Sequence, residues 1–178
     1  PASTPESAPH GGGGHGAANK QYGPALIDDD TPPPAHAVFS WGKLVAKVTV
    51  FAAIWIIAML AIGGQQTLVD MGEFFTKAAF LTIGGAYAVL PYVYQGAVEH
   101  HNWLTGAQMM DGLALGETTP GPLIMVVTWV GYMGGVAKQV FPDPVAAGLA
   151  GAAVATFFTF LPSFLFILAG GPVIESTR

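Results

Sequence analysis

Four stretches of this chain contain no Asp, Glu, Lys or Arg: Val48–Val69, Ala78–Val98, Thr118–Ala137 and Pro144–Ile174. An α-helix needs roughly 20 apolar residues to cross a hydrocarbon core of about 30 Å, and each stretch reaches that length. Composition agrees, with 52% apolar and 10% charged residues, where soluble domains carry about one quarter charged. The sequence therefore predicts an all-α, polytopic membrane protein.

The formal net charge of -5 supplies no basic footprint, and the acids are scattered, so nucleic acid is not an expected partner. With no cysteine there is no disulfide framework, no thiolate zinc site and no thiol nucleophile. No cofactor and no metal site are expected. Residues 1–38 hold seven prolines, the GGGGHG cluster, the acid run Asp28–Asp30 and one aromatic, Tyr22. Such a segment buries too little apolar surface to offset the entropy of ordering, so it reads as a disordered linker ahead of a membrane domain at 39–178. His10 and His15 sit on a flexible backbone that preorganises no metal site.

Ser40 is placed as the N-cap of a first spanning helix that carries Lys43 and Lys47 near its start, with Trp41 as an interfacial aromatic. These lysines favour a cytoplasmic start, and Lys77 and Lys138 weaken the asymmetry. The second run meets Gly84, Gly85 and Pro91 and is not expected to run straight. Glu73 and Lys77, at i and i+4, read either as a surface ion pair or as a functional lysine. In EHHNWLT, Trp103 reads as a belt residue, and His100 and His101 as solvated loop residues rather than a metal pair. In the last run Ala147, Gly151, Ala155 and Thr159 recur every four residues, a small-residue packing face, and Pro162 is expected to bend the helix.

The run GETTPGPLIM, Gly116–Met125, places an acid, two threonines and two prolines inside an apolar stretch. Thr105 and Gln108 match a capping box that starts a helix, and Leu104 with Met109 the accompanying staple. A helix over Gly106–Gly116 is about 17 Å long, roughly half a bilayer. Pro120 and Pro122 remove backbone donors and disfavour helix at Thr119 and Gly121, so the helix stops. Thr118 or Thr119 then serves as cap for a second half-helix beginning LIMVVTWVGYMGG. Irregular backbone at membrane depth requires protein or a water-filled cavity around it. A half-helix N-terminus suits an anion, and Glu117 is the acid at the junction, with Asp111 nearly two turns earlier. Burial of such an acid raises its pKa and allows it to carry a proton. A plain proline kink is the competing structural reading.

TKAAFLTIGGAYAVLPYV, then EHHNWLTGAQMMDGLALGETTPGPLIMVVTWVGYMGG, then FLPSFLFILAGGPVIE, in that order, resemble the second half of the bacterial chromate ion transporters over Phe39–Glu175. Even TPPPAHAVFS resembles the family's linker between halves. The resemblance implies discontinuous, broken or re-entrant helices and one half of an inverted or duplicated repeat, incomplete at its C-terminus. The chain would then be a half-transporter or a fragment of a two-half protein. The partners implied are the homologous other half or a second copy, as homo- or heterodimer, and the lipid bilayer.

The activity implied is export of chromate across the bacterial inner membrane by a multi-pass antiporter or potential-driven carrier, with sulfate as close analogue. By position, Lys77 falls in the family's Phe-Phe-x-Lys-Ala-Ala motif, Gly84 and Gly85 in its Gly-Gly motif, and Glu117–Pro122 in its Glu-x-Thr-Pro-Gly-Pro motif. Substrate binding is thus expected at Lys77, Thr82, Gly84, Gly85, Tyr87, Thr118, Thr119, Pro120, Gly121 and Pro122, and proton coupling at Glu117. The chain is not expected to be an enzyme. A membrane enzyme using Glu117 with His100 or His101 would need groups separated by about 17 Å of helix to converge, and a structural membrane subunit would use the junction as a kink only.

Overall fold

A computed structural model describes residues 40–81, 89–119 and 122–175, all within the unit Pro34–Arg178. Among them the chain is helical throughout: α1 (Trp41–Ile62), α2 (Gln66–Leu81), α3 (Leu90–Tyr94) continuing as a π-helical segment (Gln95–His100), α4 (Gly106–Glu117), α5 (Pro122–Ala137) and α6 (Pro144–Glu175). Two helices, α1 and α6, contain apolar stretches long enough to cross a membrane, Trp41–Ile62 and Pro144–Gly171. Ser40 stands at the N-cap of α1 with extended backbone, but its side chain makes no capping hydrogen bond. Helix α6 runs without interruption through the fully buried Pro162.

The direction of each helix follows from its contacts. Along α1 and α6, Trp55 meets Phe158 edge-on at 6.3 Å, and Lys47 Nζ donates to the carbonyl of Leu168. The two therefore run antiparallel. Helix α5 runs antiparallel to α6: Gly135 lies against Ala147, Gly131 against Gly151 and Ala155, and the hydroxyls of Thr128 and Thr156 bond at 2.8 Å. Ala147, Gly151 and Ala155 thus form the packing seam expected of them.

Helices α2 and α3 form a hairpin. Phe74 stacks on Tyr92 at 5.0 Å and fills the space a Cβ would need on Gly96, while Ala78 and Ala79 share a cavity with Val89, Leu90 and Val93. Helices α4 and α5 form another, because Trp129 of α5 donates its Nε1–H to Gln108 O at 2.8 Å and its ring lies against Gly112. Trp103 packs against Gly134 and Phe74, so both hairpins open at one end of the bundle, where the turns 63–65 and 138–143 also lie. The run that holds GETTPGP reverses instead of passing straight on.

Trp103 is 1% exposed, stacked near Phe75 and edge-on to Phe74. It is a core residue rather than a belt residue: the two hairpin mouths close over it, and a membrane surface offers no such enclosure. The core around it joins α2, α3, α5 and α6 through Met71, Phe75, Val93, Val130 and Phe158.

Candidate functional site

Hairpin two is built from capping and proline chemistry. At the start of α4 the Thr105 hydroxyl accepts from Gln108 N at 3.3 Å while the Gln108 side chain accepts from Thr105 N at 2.8 Å, a complete capping box. Met109, Gly112 and Gly116 bury one face of α4, and Met110, Asp111 and Glu117 lie exposed elsewhere on it. At its C-terminal end the hydroxyls of Thr118 and Thr119 both donate to Leu115 O, at 2.9 and 3.0 Å. They close α4 instead of capping α5, because the last carbonyls of a helix lack intrahelical partners and sit three and four residues behind these hydroxyls. To donate to a ligand, either hydroxyl must first leave Leu115.

Glu117 is the final residue of α4, and Pro122 opens α5, where its missing N–H costs nothing. Thr82, Gly84, Gly85, Tyr87, Pro120 and Gly121 lie outside the described residues.

A cavity of about 220 Å³ lies where the two hairpins and α6 converge, lined by Ala78 and Leu90 of the first hairpin, Ile124 and Val127 of the second, and Thr159 and Ser163 of α6. The hydroxyls of Thr159 and Ser163 donate to their own helix, to Ala155 O at 2.7 Å and Thr159 O at 3.4 Å. Apolar walls of this kind suit a passage or a packing void, and polar contacts for a bound anion have to come from the hairpin junctions.

Lys77 sits elsewhere. Its Nζ lies 3.6 Å from Glu73 Oε2, and both side chains are exposed. It lines a cleft of about 540 Å³ on the outside of the first hairpin, with Asp70, Glu73, Glu99, His100 and His101. Glu117, Thr118 and Thr119 are not part of that lining. The substrate residues expected from sequence are thus divided between two places. Among the described residues no group of three or more His, Cys, Asp or Glu is placed to hold a metal ion.

His101 departs from a solvated loop residue. Its ring stacks on Trp103 at 4.3 Å and meets His100 edge-on at 4.7 Å. Burial, aided by the nearby His100, Lys138 and Lys77 and opposed by Asp70, holds its pKa below the ordinary 6.5. The unfolded chain therefore binds this proton more readily, so the stabilisation from neutral His101 is full above about pH 6.5 and is lost as pH falls through the lower folded value. Thermal unfolding in detergent is expected to fall more steeply from pH 7 to pH 5 in the wild type than in His101→Phe, which keeps the stacked ring but does not titrate. Equal slopes would show that His101 contributes no such term.

Sequence reasoning missed Asp70, Glu99, Trp103 and Trp129 as site-shaping residues. One signal was present: Asp70, Glu73, Phe74 and Lys77 at i, i+3, i+4 and i+7 share a helix face, as do Tyr92, Gln95, Gly96 and Glu99 across the cleft.

Residues 69–178 match the family described as chromate transporter. The chain is 34% identical over 135 residues to the chromate transport protein of Cupriavidus metallidurans, covering 72% of this chain and 30% of that protein. It is 37% identical over 134 residues to the chromate transport protein of Pseudomonas aeruginosa, covering 75% and 27%. A probable chromate transport protein of Synechococcus elongatus is 28% identical over 146 residues, covering 80% and 33%. The chain thus spans about a third or less of the length of these relatives. No solved structure matches it. An all-α membrane protein with broken helices, this chain belongs to the chromate transporter family.

Proposed function

We propose that this domain forms part of a carrier that moves chromate, a divalent tetrahedral oxyanion, out of the bacterial cytoplasm across the inner membrane, with sulfate as a close analogue. The observation that carries this reading is the pair of helical hairpins opening at one end, whose deep portions converge on one cavity with α6. In a bilayer α1 and α6 would cross fully and the hairpins would enter and return. Their junctions would then lie at depth, where broken helices of secondary transporters hold substrate. Burying a dianion is prohibitive unless many donors converge on it, and helix N-termini such as that of α5 supply amide donors and a positive dipole end. Glu117 would couple the movement to protons, and the membrane potential would itself favour outward passage of a dianion. The other half, or a second copy, would complete the path and cover the acids on α4, which lipid does not tolerate.

The test is chromate accumulation in cells expressing the complete transporter with Glu117→Gln or Lys77→Ala. Each variant is expected to lose most of the exclusion and to approach the chromate level of cells without the transporter. Undiminished exclusion in both would overturn the assigned roles. Cysteines placed at Thr118 and Thr119 are expected to react with an aqueous reagent and to be protected by chromate or sulfate; a junction that is only a kink gives no such protection.

A further inference from the structure

The cleft outside the first hairpin is separate from the cavity between the hairpins, and its charge runs against a dianion. Asp70, Glu73 and Glu99 set three carboxylates against the single ammonium of Lys77, leaving two net negative charges when His100 and His101 are neutral. Lys77 is itself engaged by Glu73 at 3.6 Å. The acids and Lys77 on α2 lie on one face, and Lys77 lies about 17 Å along that helix from Gln66. On the other wall the π-helical segment turns Glu99 and His100 toward the same space, with Gly96 admitting the Phe74 ring beneath them. The result is a polar groove leading from the hairpin mouth along the outside of α2.

We propose that this groove is a proton-switched vestibule that decides whether anions gain access from the hairpin-mouth end. At neutral pH its net negative charge lowers the local concentration of anions and raises that of cations. Each proton taken up by the lining cancels one unit of that net charge and lowers the barrier, and because burial disfavours the charged form of His101, its proton requires acid below the ordinary histidine range. His101 faces His100 and Asp70 directly in this balance, with Lys77 and Lys138 acting on it from α2 and from the turn after α5. The stack on Trp103 fixes its ring in place, so the change is one of charge rather than of position. Glu73 has a second effect: it engages Lys77, and its replacement by glutamine would free that ammonium to meet an anion. The electrostatic switch stands on the geometry of the groove, and its consequence for chromate rests on the proposed function above.

This domain contains no cysteine, so in the complete transporter, with any cysteine outside the domain replaced, a single introduced thiol gives a direct test. Gln95 lines the groove and is exposed. At pH 7.5 Gln95→Cys is expected to react about tenfold or more faster with a cationic methanethiosulfonate than with an anionic one of similar size, and at pH 5.5 the ratio is expected to be clearly smaller. Glu73→Gln with Glu99→Gln should abolish the preference at pH 7.5. His100→Gln with His101→Phe should abolish the acid-induced change while leaving the preference at neutral pH. A ratio near one at both pH values, or one indifferent to these substitutions, overturns the vestibule. In proteoliposomes, Glu73→Gln with Glu99→Gln should speed chromate entry from the same end at pH 7.5 severalfold. If labelling behaves as expected and this rate does not change, the groove is not on the path of chromate; if the unmodified transporter moves no chromate, the proposed function fails and the labelling result stands by itself.

Discussion

Gly151→Leu is expected to yield no folded protein. A Cβ on Gly151 would sit 2.1 Å from the carbonyl oxygen of Gly131 and 3.2 Å from Cα of Gly135, both backbone atoms of α5. On the facing helix, a Cβ on Gly135 would sit 2.1 Å from Ala147 O, and one on Gly131 2.5 Å from Gly151 O. Backbone cannot rotate away as a side chain tip can. Any side chain here must push α5 and α6 apart along their whole line of contact, which forfeits the close packing that stands in for the hydrophobic effect between helices in lipid. The expected cost is more than about 4 kcal/mol, beyond the usual range of single substitutions. Gly151→Ala is already strained, and Gly170→Leu is the control, because no atom lies within 4 Å of a Cβ at that position. Size-exclusion profiles and thermal unfolding of the detergent-purified protein decide the matter. A monodisperse Gly151→Leu protein with an unchanged melting temperature would mean that the two helices are not in this contact.

The same seam shows what a sequence carries. Small residues every fourth position announce a close helix contact whatever the partner, and the partner, Gly131 and Gly135, was not nameable before the fold. The break in the GETTPGP run was legible because proline removes a donor and restricts its neighbour, which are local effects. So was the capping box at Thr105 and Gln108, fulfilled atom for atom. Whether the chain passes on or turns back after the break is a tertiary fact: both outcomes use the same two half-helices, and Trp129 reaching Gln108 O is what selects the hairpin. Tryptophan beside polar residues suits an interface and a core alike, and Trp103 became core because both hairpin mouths close over it. The threonines at the junction had two helices to serve, and geometry gave them to the one behind. Lys77 belonged to a pattern visible on α2, and Tyr92, Gln95, Gly96 and Glu99 repeat that spacing, yet that the two faces meet across one groove is a tertiary fact that neither pattern carries.

On the proposed function, Trp103→Ala is expected to disable transport by the complete protein while the separate hairpins persist. Its ring is fully buried among Phe74 at 5.4 Å, Phe75 at 6.1 Å and His101 at 4.3 Å, and its side chain fills the space above Gly134. Phe74 and Phe75 belong to the first hairpin and Gly134 to the second, so this one side chain sets the spacing of the two mouths. Truncation leaves a cavity that close-packed neighbours fill only in part, at a cost of about 3–5 kcal/mol. The loss falls on the relation between hairpins, because α2 with α3 keeps the Phe74–Tyr92 stack and α4 with α5 keeps the bond from Trp129 to Gln108. Misplacing catalytic or binding groups by about 1 Å costs on the order of a hundredfold in rate, so on the proposed function the complete protein should lose most of its chromate exclusion. Helical content is expected to stay near the wild type. Trp103→Phe restores much of the volume and should recover both stability and exclusion in part. Wild-type exclusion in Trp103→Ala would show that the two hairpins hold their spacing without this side chain, and full loss of helix would show that they do not fold without it.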